Sequence, residues 1–199
     1  MIRHASLAFL ALLCTAAPSA AQHAGGGAAR PSPTAPREAA QFAFLVGQWD
    51  LEVTPKVNSL AAKMHGTPKL LGTWKAWRLL DGFGVEDELR IVDGSGNPSA
   101  LVHALRLYSV ADAKWIISGM DAYRGVQSSS SGAFSNGTML INGQGTDAEG
   151  KPTLIRTRFF DVTPTSFTYQ QDRSSDAGRT WDEGTLKISA KRTAAAAAR

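Results

Sequence analysis

Glu86, Asp87 and Glu88 stand in a row, and three consecutive carboxylates are the part of this chain best equipped for chemistry. On an extended strand, successive side chains point to opposite faces, so Glu86 and Glu88 share one face and Asp87 takes the other. Whichever set meets a protein interior needs a cation beside it, because an unpaired buried charge costs several kcal/mol. Arg78, Arg106, Arg156 and Arg158 are the candidates to supply that cation. An interior group of arginine and carboxylate would orient the polar or anionic head of a small molecule, while Trp74, Trp77, Trp115 and Tyr169 hold its apolar body. On that reading, substituting Arg106 weakens ligand binding with little loss of stability. The same residues also fit a plainer reading, in which the charges lie on a solvated outer surface and the aromatics are core.

Other chemistries find little to work with. His23, His65 and His103 lie nowhere near the i, i+2 or i, i+4 spacing of a metal site, and His103 alternates with Leu101, Leu105 and Leu107 as a core histidine with one hydrogen bond would. The run Ser128 to Ser131 has no positioned base and reads as a loop. Nucleophile elbow, glycine-rich phosphate loop and two-histidine motif are all missing, so no catalytic residue and no metal ligand is assigned. Asn136-Gly137-Thr138 is formally a glycosylation sequon, a pattern common by chance.

The elements that must position these residues follow a leader. Arg3 and His4 precede the apolar stretch Ala5 to Ala17 and the small residues Pro18-Ser19-Ala20-Ala21, the layout of a signal peptide cleaved after Ala21. The apolar run is shorter than the roughly 20 residues of a membrane span, and no later segment approaches that length. Residues 22–36, rich in Gly, Ala and Pro, form a flexible linker, 37–192 the folded domain, and 193–199 an alanine-rich tail. The expected location is periplasmic or secreted. The single cysteine, Cys14, falls inside the leader and follows Leu12 and Leu13, where a lipoprotein signal would want a small residue. Cleavage after Ala21 thus leaves a chain without disulfides, thiolate metal sites or a cysteine nucleophile.

Of 199 residues, 43% are hydrophobic and 19% charged, a balance that packs one core. The net charge of +4 is dispersed, and the longest basic and aromatic run, Lys75-Ala76-Trp77-Arg78, reads as a strand, so a nucleic-acid partner is not expected. A short helix over 36–42, capped near Thr34 or Ala35, leads into strand signals at 49–54, 72–80, 85–92, 101–109, 114–121, 131–134, 138–143, 153–161, 166–171 and 180–191. Apart from 57–71, the connections are too short for crossover helices, which predicts an all-β fold. About ten strands with no long edge close most easily as an antiparallel up-and-down β-barrel. Alternation within 101–109 puts Val102, Ala104, Arg106 and Tyr108 on one face, and apolar groups on the opposite face leave open which one is inside.

Phe44-Leu45-Val46-Gly47-Gln48-Trp49 places Gly-x-Trp between the helix and the first strand, and so resembles the opening of lipocalin-type barrels. That resemblance implies a Trp49 plug at one barrel end, with Lys191 or Arg192 packed over it. Ser174-Ser175-Asp176-Ala177-Gly178-Arg179-Thr180-Trp181 resembles the Asp-box hairpin of sialidases and other β proteins, a structural turn of which a sialidase propeller needs several copies. Together with Gly72-Thr73-Trp74, Leu105 to Tyr108 followed by Trp115, and Arg156 to Phe167, these segments resemble domain-of-unknown-function family 1579, a bacterial lipocalin-like group. The resemblance implies a fold and no particular reaction. Nitrobindins open in a similar way and hold haem through a histidine near the C-terminus, but this sequence has no histidine after His103, so no cofactor is expected.

The reading is an exported, lipocalin-like barrel that binds a small amphipathic molecule non-covalently. Two alternatives stay open: a structural or interaction barrel with a filled interior, and an enzyme using Glu86, Glu88 or Asp87 as an interior acid.

Overall fold

The structure, a computed structural model, describes residues 33–57, 64, 66–147 and 149–193. The expected leader 1–21, most of the linker 22–36 and the tail from 194 onward lie outside the described residues. A 3-10 helix, Arg37–Leu45, leads into ten strands: β1 Gly47–Pro55, β2 Leu70–Leu79, β3 Gly84–Val92, β4 Pro98–Ser109, β5 Lys114–Asp121, β6 Val126–Ser135, β7 Thr138–Thr146, β8 Pro152–Phe160, β9 Ser166–Ser174 and β10 Asp182–Arg192. Each strand pairs antiparallel with its sequence neighbour, and β10 returns to pair with β1, from Trp49 opposite Arg192 to Pro55 opposite Leu186. The sheet closes on itself as an up-and-down barrel, and every strand edge is paired.

Closure gives each strand one inner and one outer face, and burial shows which is which. Trp49, Leu51 and Val53 of β1 are buried while Gln48, Asp50, Glu52 and Thr54 are exposed. Val85, Asp87, Leu89 and Ile91 point inward from β3. On β4 the register against β3 turns Val102, Ala104, Arg106 and Tyr108 inward, so Leu101, His103, Leu105 and Leu107 form the outer face. No helix among the described residues is long and apolar enough to cross a membrane.

Two local expectations are corrected. The entry helix is a 3-10 helix that starts after Pro36, without a side-chain cap, and runs on to Leu45. Ser128 to Ser131 is not a loop but the middle of β6, where Ser128 pairs with Gly119 of β5 and Ser130 pairs with both Ile117 of β5 and Gly143 of β7. A ladder on both sides overrides the weak strand preference of serine.

The helix closes the barrel end at which β1 begins. Phe42 and Leu45 are fully buried there, with the Phe42 ring edge-on to Trp115 at 4.7 Å and to Phe159 at 6.0 Å. Trp49 packs edge-on against Phe167 at 4.7 Å and donates from Nε1 to the Leu45 carbonyl at 2.8 Å. Arg192, and not Lys191, lies over the Trp49 ring, 4.1 Å from its centroid. Its guanidinium donates to the carbonyls of Pro164 (2.8 Å), Val46 (3.0 Å) and Phe44 (3.4 Å), so one side chain ties the helix, the β8–β9 turn and both closing strands together. Gly47, at φ 128°, leaves the room, because a Cβ there would collide with Arg192 Nη1.

Arg192→Ala removes the cation-π contact and these charge-assisted hydrogen bonds, and is expected to lower stability by about 2 kcal/mol. Arg192→Lys should recover only a part, since an ammonium cannot fork over three carbonyls. Urea unfolding followed by tryptophan fluorescence checks this; an unchanged midpoint would remove Arg192 from the closure.

Candidate functional site

Asp87 shares its face of β3 with Val85, Leu89 and Ile91, so burying those three carries the carboxylate inside, where it is 1% exposed. Its cross-strand neighbours are Ala76 on β2 and Ala104 on β4, small residues that leave room for partners arriving from the sides. Trp74 Nε1 donates to Asp87 Oδ1 at 2.7 Å. Arg106, 5% exposed, forms an ion pair with Asp87 Oδ2 through Nη1. The same guanidinium sits 5.2 Å from the centroid of the Phe42 ring, so it rests on the plug. Burial pulls the Arg106 pKa down to about 10, which leaves it charged at neutral pH beside its carboxylate. Burial also pushes the Tyr169 hydroxyl up, against a hydrogen bond with Thr157 and the charge of Arg106. The Tyr169 ring lies 5.7 Å from Trp74 and 5.1 Å from Phe159.

Above this group the interior changes character. Inward-facing Val102, Ser130, Gly143, Ile155 and Gln171 are only half-buried and Ser128 is exposed, whereas the plug residues Trp49, Trp115 and Phe159 are sealed. The inner face is thus sealed at the helix end and less buried at the opposite end. One wall, on β1 to β4, is apolar, with Leu51, Val53, Leu89, Ile91 and Val102. The facing wall, on β6 to β9, carries Ser130, Thr153, Thr157, Tyr169, Gln171 and Arg173 on its inner face. Some inner glycines serve the backbone: at Gly132 a Cβ would meet the Leu140 carbonyl oxygen at 2.6 Å, too close for any other residue. Gly143 differs, since its Cβ would meet the Ser130 side chain at 3.0 Å, on the lumen wall.

The residues singled out in the sequence divide by strand parity. Trp74 and Arg106 come together on Asp87, with Tyr169 beside Trp74. Trp115 is also inside, but it belongs to the plug, donating from Nε1 to Gln41 Oε1 of the helix at 2.9 Å. Glu86 and Glu88 face outward, because Asp87 between them faces in. Glu86 Oε2 accepts from Trp77 Nε1 at 2.8 Å, and its Oε1 lies 2.7 Å from His103 Nε2, which places Trp77 (41% exposed) and His103 on the outer surface as well. His103 is therefore not a core histidine. Glu88 pairs with Arg90 at 3.4 Å. Arg78 has inward parity but stands exposed near the end of β2, opposite Val85.

Arg156 and Arg158 point outward too, and their partner was not anticipated. Asp172 lies on the outer face of β9 yet is fully buried, accepting from Arg156 Nε (3.0 Å) and Arg158 Nη2 (3.1 Å) on one oxygen, and from Gln170 Nε2 (2.8 Å) and the Gly184 N–H (2.9 Å) on the other. The Trp181 ring covers Arg156, with the guanidinium carbon 4.3 Å from its centroid. Burial alone raises the Asp172 pKa, but the Gly184 N–H, the Gln170 amide and the two arginines more than offset it, and the carboxyl is held below the ordinary aspartate value. In the adjoining turn, Asp176 accepts from the Thr180 N–H (2.9 Å), Thr180 Oγ1 (2.7 Å) and Ser174 Oγ (2.8 Å), which bring its pKa down to about 2. The expected strand ended at 171, so Asp172 and Arg173 fell outside it; the continuing alternation with Phe167 and Tyr169 was the signal available.

Compared with known proteins, the chain has a solved counterpart in the S-type phycobiliprotein lyase CPES from Guillardia theta, at 10% identity and a TM-score of 0.53, covering 78% of this chain and 92% of that one. The likeness is one of fold. It bears out the closed antiparallel up-and-down barrel. A redesigned β-barrel bound to DFHBI aligns at 9% identity and a TM-score of 0.39, over 75% of this chain and 99% of that one. No protein-family model and no curated protein matches the chain.

Carboxylates with depressed pKa values contribute stability that is complete above the ordinary aspartate pKa of about 3.9 and fades as pH falls through their folded values. The urea midpoint of the wild type should accordingly drop on acidification below about pH 4. Asp172→Asn should start lower at neutral pH and show a shallower acid slope. An Asp172→Asn profile parallel to the wild type would mean that Asp172 is not held as the ion.

Proposed function

We propose that this protein is an exported, lipocalin-like barrel of the bacterial group named above, and that it binds a small amphipathic molecule non-covalently in its lumen. The observation that carries the reading is the combination of a buried polar group, Trp74–Asp87–Arg106, and an inner face that is less buried at the end opposite the helix, with one apolar and one polar wall. A buried ion pair adds little net stability over apolar residues of the same volume, which favours a use for it beyond stability. The polar wall supplies hydrogen bonds and the apolar wall supplies contact area, the two ingredients of a small-molecule site. The layout of residues 1–21 supports export. An acid–base enzyme is a poorer fit: Asp87, the inward carboxylate, is committed to Trp74 and Arg106, and Glu86 and Glu88 face solvent.

Native mass spectrometry of the protein, purified gently from its own exported fraction, tests the proposal. The expected result is a reproducible mass adduct that disappears on denaturation. A clean apo mass across independent preparations would favour a filled, structural barrel.

A further inference from the structure

We propose that two copies of this chain associate through the outer face of β4 to β7, as a two-fold dimer in which β5 of each copy lies over β6 of the other. The lumen takes no part in this contact, so the proposal stands apart from ligand binding.

Charge sets the face apart. Strand parity turns the odd-numbered residues of β4 and β6 and the even-numbered residues of β5 and β7 outward. Among those positions the one lysine, arginine or carboxylate is Lys114, at the start of β5. The outer faces of β1, β2, β3 and β10 carry Asp50, Glu52, Lys75, Glu86, Arg90 and Lys191 instead. On the uncharged face Ile116, Met120 and Leu140 are 42%, 55% and 37% exposed. An extended surface without charge that presents aliphatic side chains marks a contact site.

Relief and flanking charge decide the partner. The outward side chains of β6, among them Ser129, Ser131, Ala133 and Ser135, are small and form a trough. Ile116 and Met120 rise from β5 on one side of it and Leu140 from β7 on the other, with Ile116 directly across from Ser131. A two-fold axis lying in the contact plane, along the line between β5 and β6, therefore sets Ile116 of one copy over Ser131 of the other, and the contact repeats across the axis. The same axis turns β3 of one copy toward β8 of the other. Glu86 and Glu88 border the face on β3, while Arg156 and Arg158, two arginines that share the single carboxylate of Asp172, border it on β8, so the flanks are complementary. The small side chains of β6 also offset the outward curve of the barrel and let facing sheets approach to about 10 Å. Four strands about 4.8 Å apart, each about nine residues long at about 3.3 Å per residue, span on the order of 600 Å² in plan. Side-chain relief brings that near the roughly 800 Å² of accessible surface per partner in a stable interface. A lipid surface fits less well, because a lipid-facing barrel is apolar all the way round and the glutamates beside this face repel anionic head groups.

Sedimentation velocity of the purified protein at concentrations up to about 100 μM tests the proposal, with a dimer as the expected species. Ile116→Glu on the ridge and Ser131→Arg in the trough should each weaken the dimer at least about tenfold, with urea midpoints that show the barrel still folded. Glu52→Arg, on the outer face of β1, should leave it unchanged. A monomer at every concentration would overturn the proposal, as would a dimer that either face variant leaves intact or that Glu52→Arg weakens equally. Binding of a monomer to phosphatidylcholine vesicles that Ile116→Glu removes would give the face to a lipid surface and overturn it too.

Discussion

Burying one carboxylate inside a closed barrel is the constraint to which the rest of this interior answers. Closure removes any choice of face once Val85, Leu89 and Ile91 are turned inward, and Asp87 goes with them. A lone carboxylate there would cost several kcal/mol, so the neighbouring strands must deliver its partners. The register does this: β2 brings Trp74 and β4 brings Arg106, each offset from the small residues Ala76 and Ala104 that lie directly opposite Asp87. Arg106 then reaches the Phe42 ring, so the polar group and the plug support each other.

The two ends of the barrel consequently do different work. At the helix end, Trp49, Trp115, Phe42, Phe159 and Phe167 fill the cross-section with edge-to-face aromatic contacts, and Arg192 seals them from outside. Towards the other end one wall carries Ser130, Thr153, Ile155, Gln171 and Arg173, while the facing wall stays aliphatic. Outside, Asp172 and the two arginines tie β8, β9 and the β10 bulge together at that end.

Much of this was legible in the sequence, for identifiable reasons. Turn residues at regular spacing announced ten strands, and the absence of room for crossover helices announced their antiparallel order. Gly47 and Trp49 pointed to the plug. The need for a cation beside an interior carboxylate was also readable, and Arg106 was among the candidates. What could not be read was parity. Apolar residues line both faces of β4, since Leu101, Leu105 and Leu107 remain on the outside, and so the inner face of the strand had no unique signature. That ambiguity put Glu86, Glu88 and Trp77 in the candidate site and made His103 look like core. Arg156 and Arg158 were misplaced for a related reason: their partner Asp172 lies beyond the expected end of its strand, and an outward carboxylate is buried here only because two arginines and the Gly184 N–H cover it. On the ligand-binding reading Arg106 is replaceable with little loss of stability, whereas its ion pair with the buried Asp87 predicts a larger cost.

The most direct measurement of the central claim is a double-mutant cycle on the buried pair, read as urea unfolding free energies at neutral pH. Arg106→Leu leaves Asp87 buried without a cation and is predicted to cost about 3–5 kcal/mol, whereas adding Asp87→Leu to it should restore most of that loss. If Arg106→Leu alone were nearly neutral, or if the double variant were no more stable than the single one, Asp87 and Arg106 would not be the paired interior charges on which the barrel and its lumen are organised.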